Sequence, residues 1–301
     1  MTIITNSIQC DVLRTKEILK FILRDLDWKM NNKGKMNGLS TGYTELDSIL
    51  GGLHGGKLYC LAARPAMGKT AFALNISLHS ALKLKKETLI FSLEESTQMI
   101  LARLLSIDTM IDSCAFKIGE LTDSDLEKVE HAVGTISSAP LVVVDDSFDI
   151  DDIEEKSQEY FKYNKDGLII IDYLQLISEG NKIGSENRKH IGCIVRRLSL
   201  LAKKLNIPII VLSQISHAME NRKNKHPLLC DFRELDVVKF SDVVLFIYRE
   251  DYYNPDSEKL GIAEIIVAKN NDGPCGHVEL AWIGKCQKYA NLGKLANSRY
   301  Q

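Results

Sequence analysis

The run Lys57-Leu-Tyr-Cys-Leu-Ala-Ala-Arg-Pro-Ala-Met-Gly-Lys-Thr70 constrains the fold of this chain more than any other stretch. Its apolar first half turns sharply through Arg64-Pro65-Ala66-Met67-Gly68 and restarts as Ala71-Phe-Ala-Leu-Asn-Ile, the pattern of a buried strand, a tight loop and a helix. In such a loop the backbone N–H groups of residues 66–70 converge on the helix N-terminus, where unpaired donors and the helix dipole favour phosphate oxygens. Lys69 can then reach terminal phosphates, and the Thr70 hydroxyl can ligate a magnesium ion. Arg64, Pro65, Ala66, Met67, Gly68, Lys69 and Thr70 are therefore the candidate phosphate-binding residues. The motif departs from G-x-x-x-x-G-K-[ST] at one point, since its first glycine is Ala63. A bare Gly-Lys-Thr is a common tripeptide; the apolar strand before it and the helix after it distinguish this one from a surface turn.

The 301 residues, 45% of them hydrophobic, suffice for a substantial core in one large α/β domain or two small ones. Net charge is −2, so no global basic field advertises nucleic acid, and any such contact must come from a local cluster. Seven cysteines are scattered without a C-x-x-C pair, which argues against zinc or a disulfide framework and for a reducing, cytoplasmic setting. No apolar run is long enough for a membrane span, so no membrane partner is expected.

Two regions are expected. Residues 1–37 carry one helical pattern, with Val12, Ile18, Leu19, Ile22, Leu23 and Leu26 at three- and four-residue spacing, followed by a polar linker from Met30. From Gly38 to Gln301 strand and helix candidates alternate. The strands are read at 57–63, 88–92, 141–145, 168–172, 207–213, 243–248, 262–269 and 277–283, and the helices at 69–84, 96–107, 123–137, 151–163 and 187–205. This alternation predicts an α/β fold with a mostly parallel sheet covered by helices on both faces, closed by a C-terminal antiparallel hairpin around residues 270–274.

Open α/β sheets bind ligands at the carboxyl ends of their strands, so three further strand ends matter. One delivers Glu94, placed to activate an attacking water. Another ends in Asp172, as a carboxylate for a magnesium site should, and a third in Gln214, an amide within reach of a γ-phosphate. Each alone reads as an ordinary surface or capping residue; together with a phosphate loop on one sheet they compose a nucleoside triphosphatase.

Leu61-Ala-Ala-Arg-Pro-Ala-Met-Gly-Lys-Thr70, Phe91-Ser-Leu-Glu-Glu95, Ile170-Ile-Asp-Tyr-Leu-Gln-Leu176, Leu212-Ser-Gln214 and Asp231-Phe-Arg-Glu234 resemble, in order and spacing, the motifs of the DnaB-type replicative helicases. The resemblance covers residues 38 to about 285 and implies a RecA-like phosphate-loop motor domain, assembled as a homohexameric ring that hydrolyses ATP at subunit interfaces and translocates on single-stranded DNA during replication. It implies that Lys69 and Thr70 bind phosphate and magnesium, Glu94 polarises the attacking water, Asp172 supports the metal and Gln214 couples the γ-phosphate to the DNA side. It also leaves a helicase loader as a further partner.

The stretch after Gln214 is locally basic, with His217, Arg222, Lys223, Lys225, His226 and Arg233 against Glu220 and Asp231. Arg222, Lys223, Lys225, Arg233 and Glu234 are the candidate DNA-contacting residues, facing backbone phosphate since few aromatic residues interleave with them. The polar loop 181–190 is a second candidate strip.

Three departures from the family pattern stand out. Only a linker-like helix precedes the motor, whereas the family carries a helical N-terminal domain with its primase-docking surface, so primase docking is not expected. In the family's hairpin a lysine and an arginine reach the neighbouring subunit's γ-phosphate; here Lys269 is kept and the arginine position is Asn271. After Arg233-Glu234 the family has Ser-Gly and this chain has Leu235-Asp236. The last two departures raise an alternative, a RecA-fold ATP-binding protein that has lost unwinding and serves as a regulatory or assembly partner.

Overall fold

The computed structural model describes residues 36–295 apart from 148, 165 and 180–186, together with 19, 20, 23, 24, 26, 27, 30 and 31. The chain divides between Asn37 and Gly38 into two units. Of the expected N-terminal helix, Val12, Ile18 and Ile22 lie outside the described residues, while Leu19, Leu23 and Leu26 are helical. The loop 181–186 of the second DNA-facing strip also lies outside them.

The larger unit is built on a nine-stranded sheet of order β3-β2-β4-β5-β1-β6-β7-β8-β9. These strands are β1 (Leu58–Ala63), β2 (Glu87–Ser92), β3 (Leu141–Val144), β4 (Gly167–Asp172), β5 (Ile209–Gln214), β6 (Val243–Tyr248), β7 (Ile262–Asn270), β8 (Gly276–Ile283) and β9 (Lys288–Asn291). All pairings from β3 across to β6 are parallel, and those joining β6, β7, β8 and β9 are antiparallel.

The central strand β1 is buried at every position, and its side chains divide with the period of two that a strand imposes. Tyr59, Leu61 and Ala63 join one core; Leu58, Cys60 and Ala62 join the other. Helix α1 (Thr44–Leu50), α2 (Lys69–Leu78, continued by a π turn to Lys83) and α3 (Thr97–Thr109) contribute to the first core. Helices α4 (Ser113–Ile118) and α5 (Asp123–Ser137) follow α3 in the chain. Helices α6 (Ile150–Tyr160), α7 (Asn187–Leu205) and α8 (Leu235–Phe240) contribute to the second core. Two short helices, α9 (Glu250–Tyr253) and α10 (Leu292–Leu295), complete the unit. No described helix is long and apolar enough to cross a membrane.

The eight expected strands are present within a residue or two of their expected bounds, and β9 is an addition. It is four residues long and follows a 3₁₀ turn at Gly284–Cys286, so no alternating run announces it. Helix α3 starts where a cap requires: the Ser96 side chain accepts from the Met99 N–H. The segment after Glu234, which is not among the expected helices, forms the helix α8, whose Val237 is fully buried.

Candidate active site

The loop between β1 and α2 is shaped by two left-handed residues, Ala66 (φ 63°) and Gly68 (φ 91°). At Gly68 the constraint is steric as well, because a Cβ would lie 2.4 Å from the Tyr289 hydroxyl oxygen. That hydroxyl donates to the carbonyls of Met67 (3.1 Å) and Gly68 (3.2 Å), so β9 props the loop from below. Tyr289 is itself pinned: its N–H donates to Asn75 Oδ1 at 3.2 Å, and its ring packs edge-on against Phe72 and tilted against Trp282.

The loop opens into a cleft of about 350 Å³ lined by Arg64, Pro65, Ala66, Gly68, Lys69, Thr70, Glu94, Glu95, Arg103, Gln214, Trp282 and Gln287 among others. Met67 does not line the cleft and is buried in the first core. The end of β4 meets the start of α2 here: Thr70 Oγ1 donates to Asp172 Oδ2 at 2.6 Å. Asp172 is 5% exposed, and its Oδ1 is buried without a partner. Burial pushes its carboxyl above the usual range, against the pull of Lys69 and the Thr70 bond. Burial likewise pulls the Lys69 ammonium below its ordinary value, opposed by Asp172 and Glu94; its Nζ lies 4.6 Å from the centroid of the Tyr173 ring.

Two adjacent carboxylates follow β2, and their surroundings differ. Glu95 is bound by Arg103, whose Nη1 donates to both carboxylate oxygens at 2.7 and 2.8 Å, and Arg103 Nε donates to Gln287 Oε1. Glu94 is exposed to the cleft and has no hydrogen bond or ion pair among the described residues. Gln214 ends β5 in register with Ala63, beside the loop. Its N–H donates to Gln175 Oε1, whose Nε2 donates to Ser213 Oγ at 2.9 Å, fixing the strand end.

The Arg64 side chain leaves the cleft floor. It is 7% exposed and donates to Glu220 Oε1 and to the Ile215 carbonyl, with the His217 ring alongside.

Lys269, expected to reach a neighbouring phosphate, donates instead to the carbonyls of Val238 (2.8 Å) and Ser241 (2.6 Å) at the C-terminal end of α8. Burial lowers the pKa of its ammonium. Asn271 is exposed on the hairpin, its N–H donating to the Asp242 carbonyl.

The basic segment separates into two kinds of cation. Arg222, expected among DNA contacts, is bound inside the fold: its Nη2 donates to Asp231 Oδ2 at 2.7 Å and to the His226 carbonyl at 3.0 Å, and Asp231 is 6% exposed. Lys225 lies over the Tyr253 ring at 4.7 Å. Lys223 and Arg233 are exposed and have no ion pair among the described residues; Glu234 caps α8 without a side-chain bond. Asp236 is exposed, with its carboxylate close to Gly192 in α7.

Trp282 and Arg103, which line the cleft, and Tyr289 and Arg249, which touch the carbonyls of its loop, are not among the residues expected from the sequence pattern. Arg249 follows β6 directly, and the rule that ligands gather at the carboxyl ends of parallel strands could have flagged it. Its guanidinium lies 5.2 Å from the Trp282 centroid.

The family model described as the DnaB-like helicase C terminal domain matches residues 38–291. The replicative DNA helicase DnaB of Geobacillus stearothermophilus is 39% identical over 279 residues, covering 92% of this chain and 62% of the relative. The replicative DNA helicase DnaC of Bacillus subtilis is 36% identical over the same length and shares. The chain thus spans 62% of the length of these curated relatives. Among solved structures, one described as an ATPase domain superposes with a TM-score of 0.87 at 31% identity, covering 93% of this chain and 99% of that one. A DnaB-like replicative helicase, described with its interactions with primase, gives a TM-score of 0.85 at 31% identity, covering 93% and 68%. The fold is the RecA-like fold of these helicase ATPase domains.

Proposed function

The chain belongs to the DnaB-like helicase C-terminal domain family, and on that premise we propose that it is the ATP-hydrolysing motor of a replicative DNA helicase, translocating on single-stranded DNA as a homohexameric ring. On this reading the motor is the unit 38–301, and the unit 1–37 precedes it as a linker.

One observation carries this reading: Thr70 and Asp172 are joined at the mouth of a loop whose Lys69 and exposed Glu94 share the same cleft. The loop's N–H groups and the start of α2 bind phosphate oxygens, and Lys69 adds a full charge at the terminal phosphates. Glu94, free in the cleft, accepts the proton of the attacking water, a role its neighbour cannot share while both Glu95 oxygens are held by Arg103. Gln214 lies at the strand end between this cleft and the segment leading to Lys223 and Arg233, which supply phosphate contacts indifferent to base sequence.

The donor set fits a magnesium ion, for Asp172 keeps one buried oxygen without a partner beside the Thr70 hydroxyl. Among the described residues no group of three or more His, Cys, Asp or Glu could hold a metal alone, consistent with an ion that arrives shared with substrate phosphates. Thr70 and Asp172 would hold it, and bound there it would neutralise charge on the phosphate oxygens.

A second reading, an ATP-binding partner of a replication complex with weakened unwinding, is favoured by the hairpin: Asn271 has no charge to deliver and Lys269 is spent on carbonyls. The mass of the protein with ATP and magnesium, followed by unwinding of a forked duplex, separates the two. A hexamer that unwinds supports the motor; a nucleotide-binding protein without unwinding supports the second reading. A loader remains a proposed partner of the ring.

A further inference from the structure

We infer that Arg64 is a positioning residue that links the nucleotide cleft to the basic segment after β5 through Glu220. Its backbone opens the phosphate loop, two residues before the N–H groups at 66–70, while its guanidinium reaches the segment that follows β5. There the guanidinium donates to Glu220 Oε1 at 2.9 Å and to the Ile215 carbonyl at 3.0 Å, with 7% of the residue exposed. The guanidinium also holds the Glu220 carboxyl below the usual range.

Glu220 lies in the 3₁₀ turn His217–Asn221, which leads directly into Arg222 and Lys223. Arg222 is in turn tied to Asp231, two residues before Arg233. One buried, permanently charged side chain thus has a root in the loop that closes on phosphate and a tip on the turn that carries the exposed cations. A planar guanidinium with donors fixed in a fork cannot shift at its root without moving its acceptors or losing them. This route is separate from the one through Gln214, which runs along β5 and the Gln175 amide.

The inference rests on the nucleotide-binding and DNA-contacting reading above, and hydrogen exchange on the full chain separates the two. With a non-hydrolysable ATP analogue and magnesium, amides 64–72 and 215–222 should both exchange more slowly in the wild type. Glu220→Ala should keep the first protection and lose the second. Glu220→Gln, which retains an acceptor oxygen, should restore most of it, which loss of fold would not explain. In turnover, Glu220→Ala should keep its basal rate and ATP KM while needing about fivefold or more oligothymidylate for half-maximal stimulation, the scale of a typical coupling. Persistence of the 215–222 response in Glu220→Ala, or its absence in a wild type protected at 64–72, overturns the link. No protection at 64–72 in the wild type removes the nucleotide reading itself, and the link with it.

Discussion

The Thr70 hydroxyl donates to Asp172 Oδ2 across 2.6 Å, joining the first turn of α2 to the end of a strand two places away in the sheet. Without it both oxygens of a buried carboxylate lack a donor, given that Oδ1 has none. Thr70→Val should therefore lose about 1–3 kcal/mol of stability, the cost of an unsatisfied buried polar group, together with magnesium-dependent nucleotide affinity. The pH dependence has a definite sign. Asp172 has its pKa raised by burial, so folding favours its protonated form, and the penalty falls on the ionised carboxylate. The gap in Tm between variant and wild type should be full at neutral pH and narrow as pH falls through the raised pKa. A gap that widens on acidification would contradict this assignment.

Gly68→Ala tests the buttress beneath the loop. The substitution places a Cβ 2.4 Å from the Tyr289 hydroxyl and forces a left-handed alanine, which costs about 1–2 kcal/mol before any clash. Tm should fall, and Tyr289→Phe in the same chain should recover part of the loss by removing the clashing oxygen. Equal Tm for the single and double variants would mean that the loop does not rest on β9.

Several residues of this candidate site are legible in the sequence. The strand ends at Glu94, Asp172 and Gln214 were legible because unbroken apolar runs mark buried parallel strands, whose carboxyl ends gather at one edge. What stayed hidden depends on contacts distant in the chain. Tyr289 lies 221 residues from the Gly68 carbonyl that it supports, on a strand too short to show a period. The choice between Glu94 and Glu95 became physical only with Arg103 in place. Composition also does not distinguish a cation facing solvent, such as Arg233, from one paired with a buried aspartate, as Arg222 is with Asp231.

That distinction predicts opposite phenotypes for two arginines. Arg233→Ala removes an exposed cation, so affinity for single strands should fall with little change in Tm, and the salt slope should flatten by about one counterion. Arg222→Ala leaves a buried carboxylate with the Leu228 N–H as its remaining donor and should lower stability by about 1–3 kcal/mol. Salt-titrated binding to oligothymidylate, with melting curves for both variants, checks the pair. Loss of affinity without loss of stability in Arg222→Ala would return that residue to the DNA surface.

Asn271→Arg addresses the hairpin. Position 271 is exposed, and Lys57 pairs with the adjacent Asp272, so the turn is anchored and open to a longer side chain. A guanidinium brought to a neighbour's phosphates acts mainly on the transition state, a contribution on the order of 10³–10⁵ where such fingers are native. In a protein shown by mass to be hexameric, turnover should rise more than nucleotide affinity. A hexamer with unchanged turnover would mean that this hairpin does not face the neighbouring site.

The carboxylate left free in the cleft is the centre of the proposed chemistry, and steady-state ATP hydrolysis with magnesium and single-stranded DNA, compared for Glu94→Gln and Glu95→Gln, tests it most directly. The amide at 94 should bind ATP as the wild type does and lose about 10²–10⁴ in turnover, the range of a general base. The amide at 95, which keeps an acceptor for Arg103, should retain most of its rate. Normal hydrolysis in a folded Glu94→Gln, or loss confined to Glu95→Gln, would contradict the account.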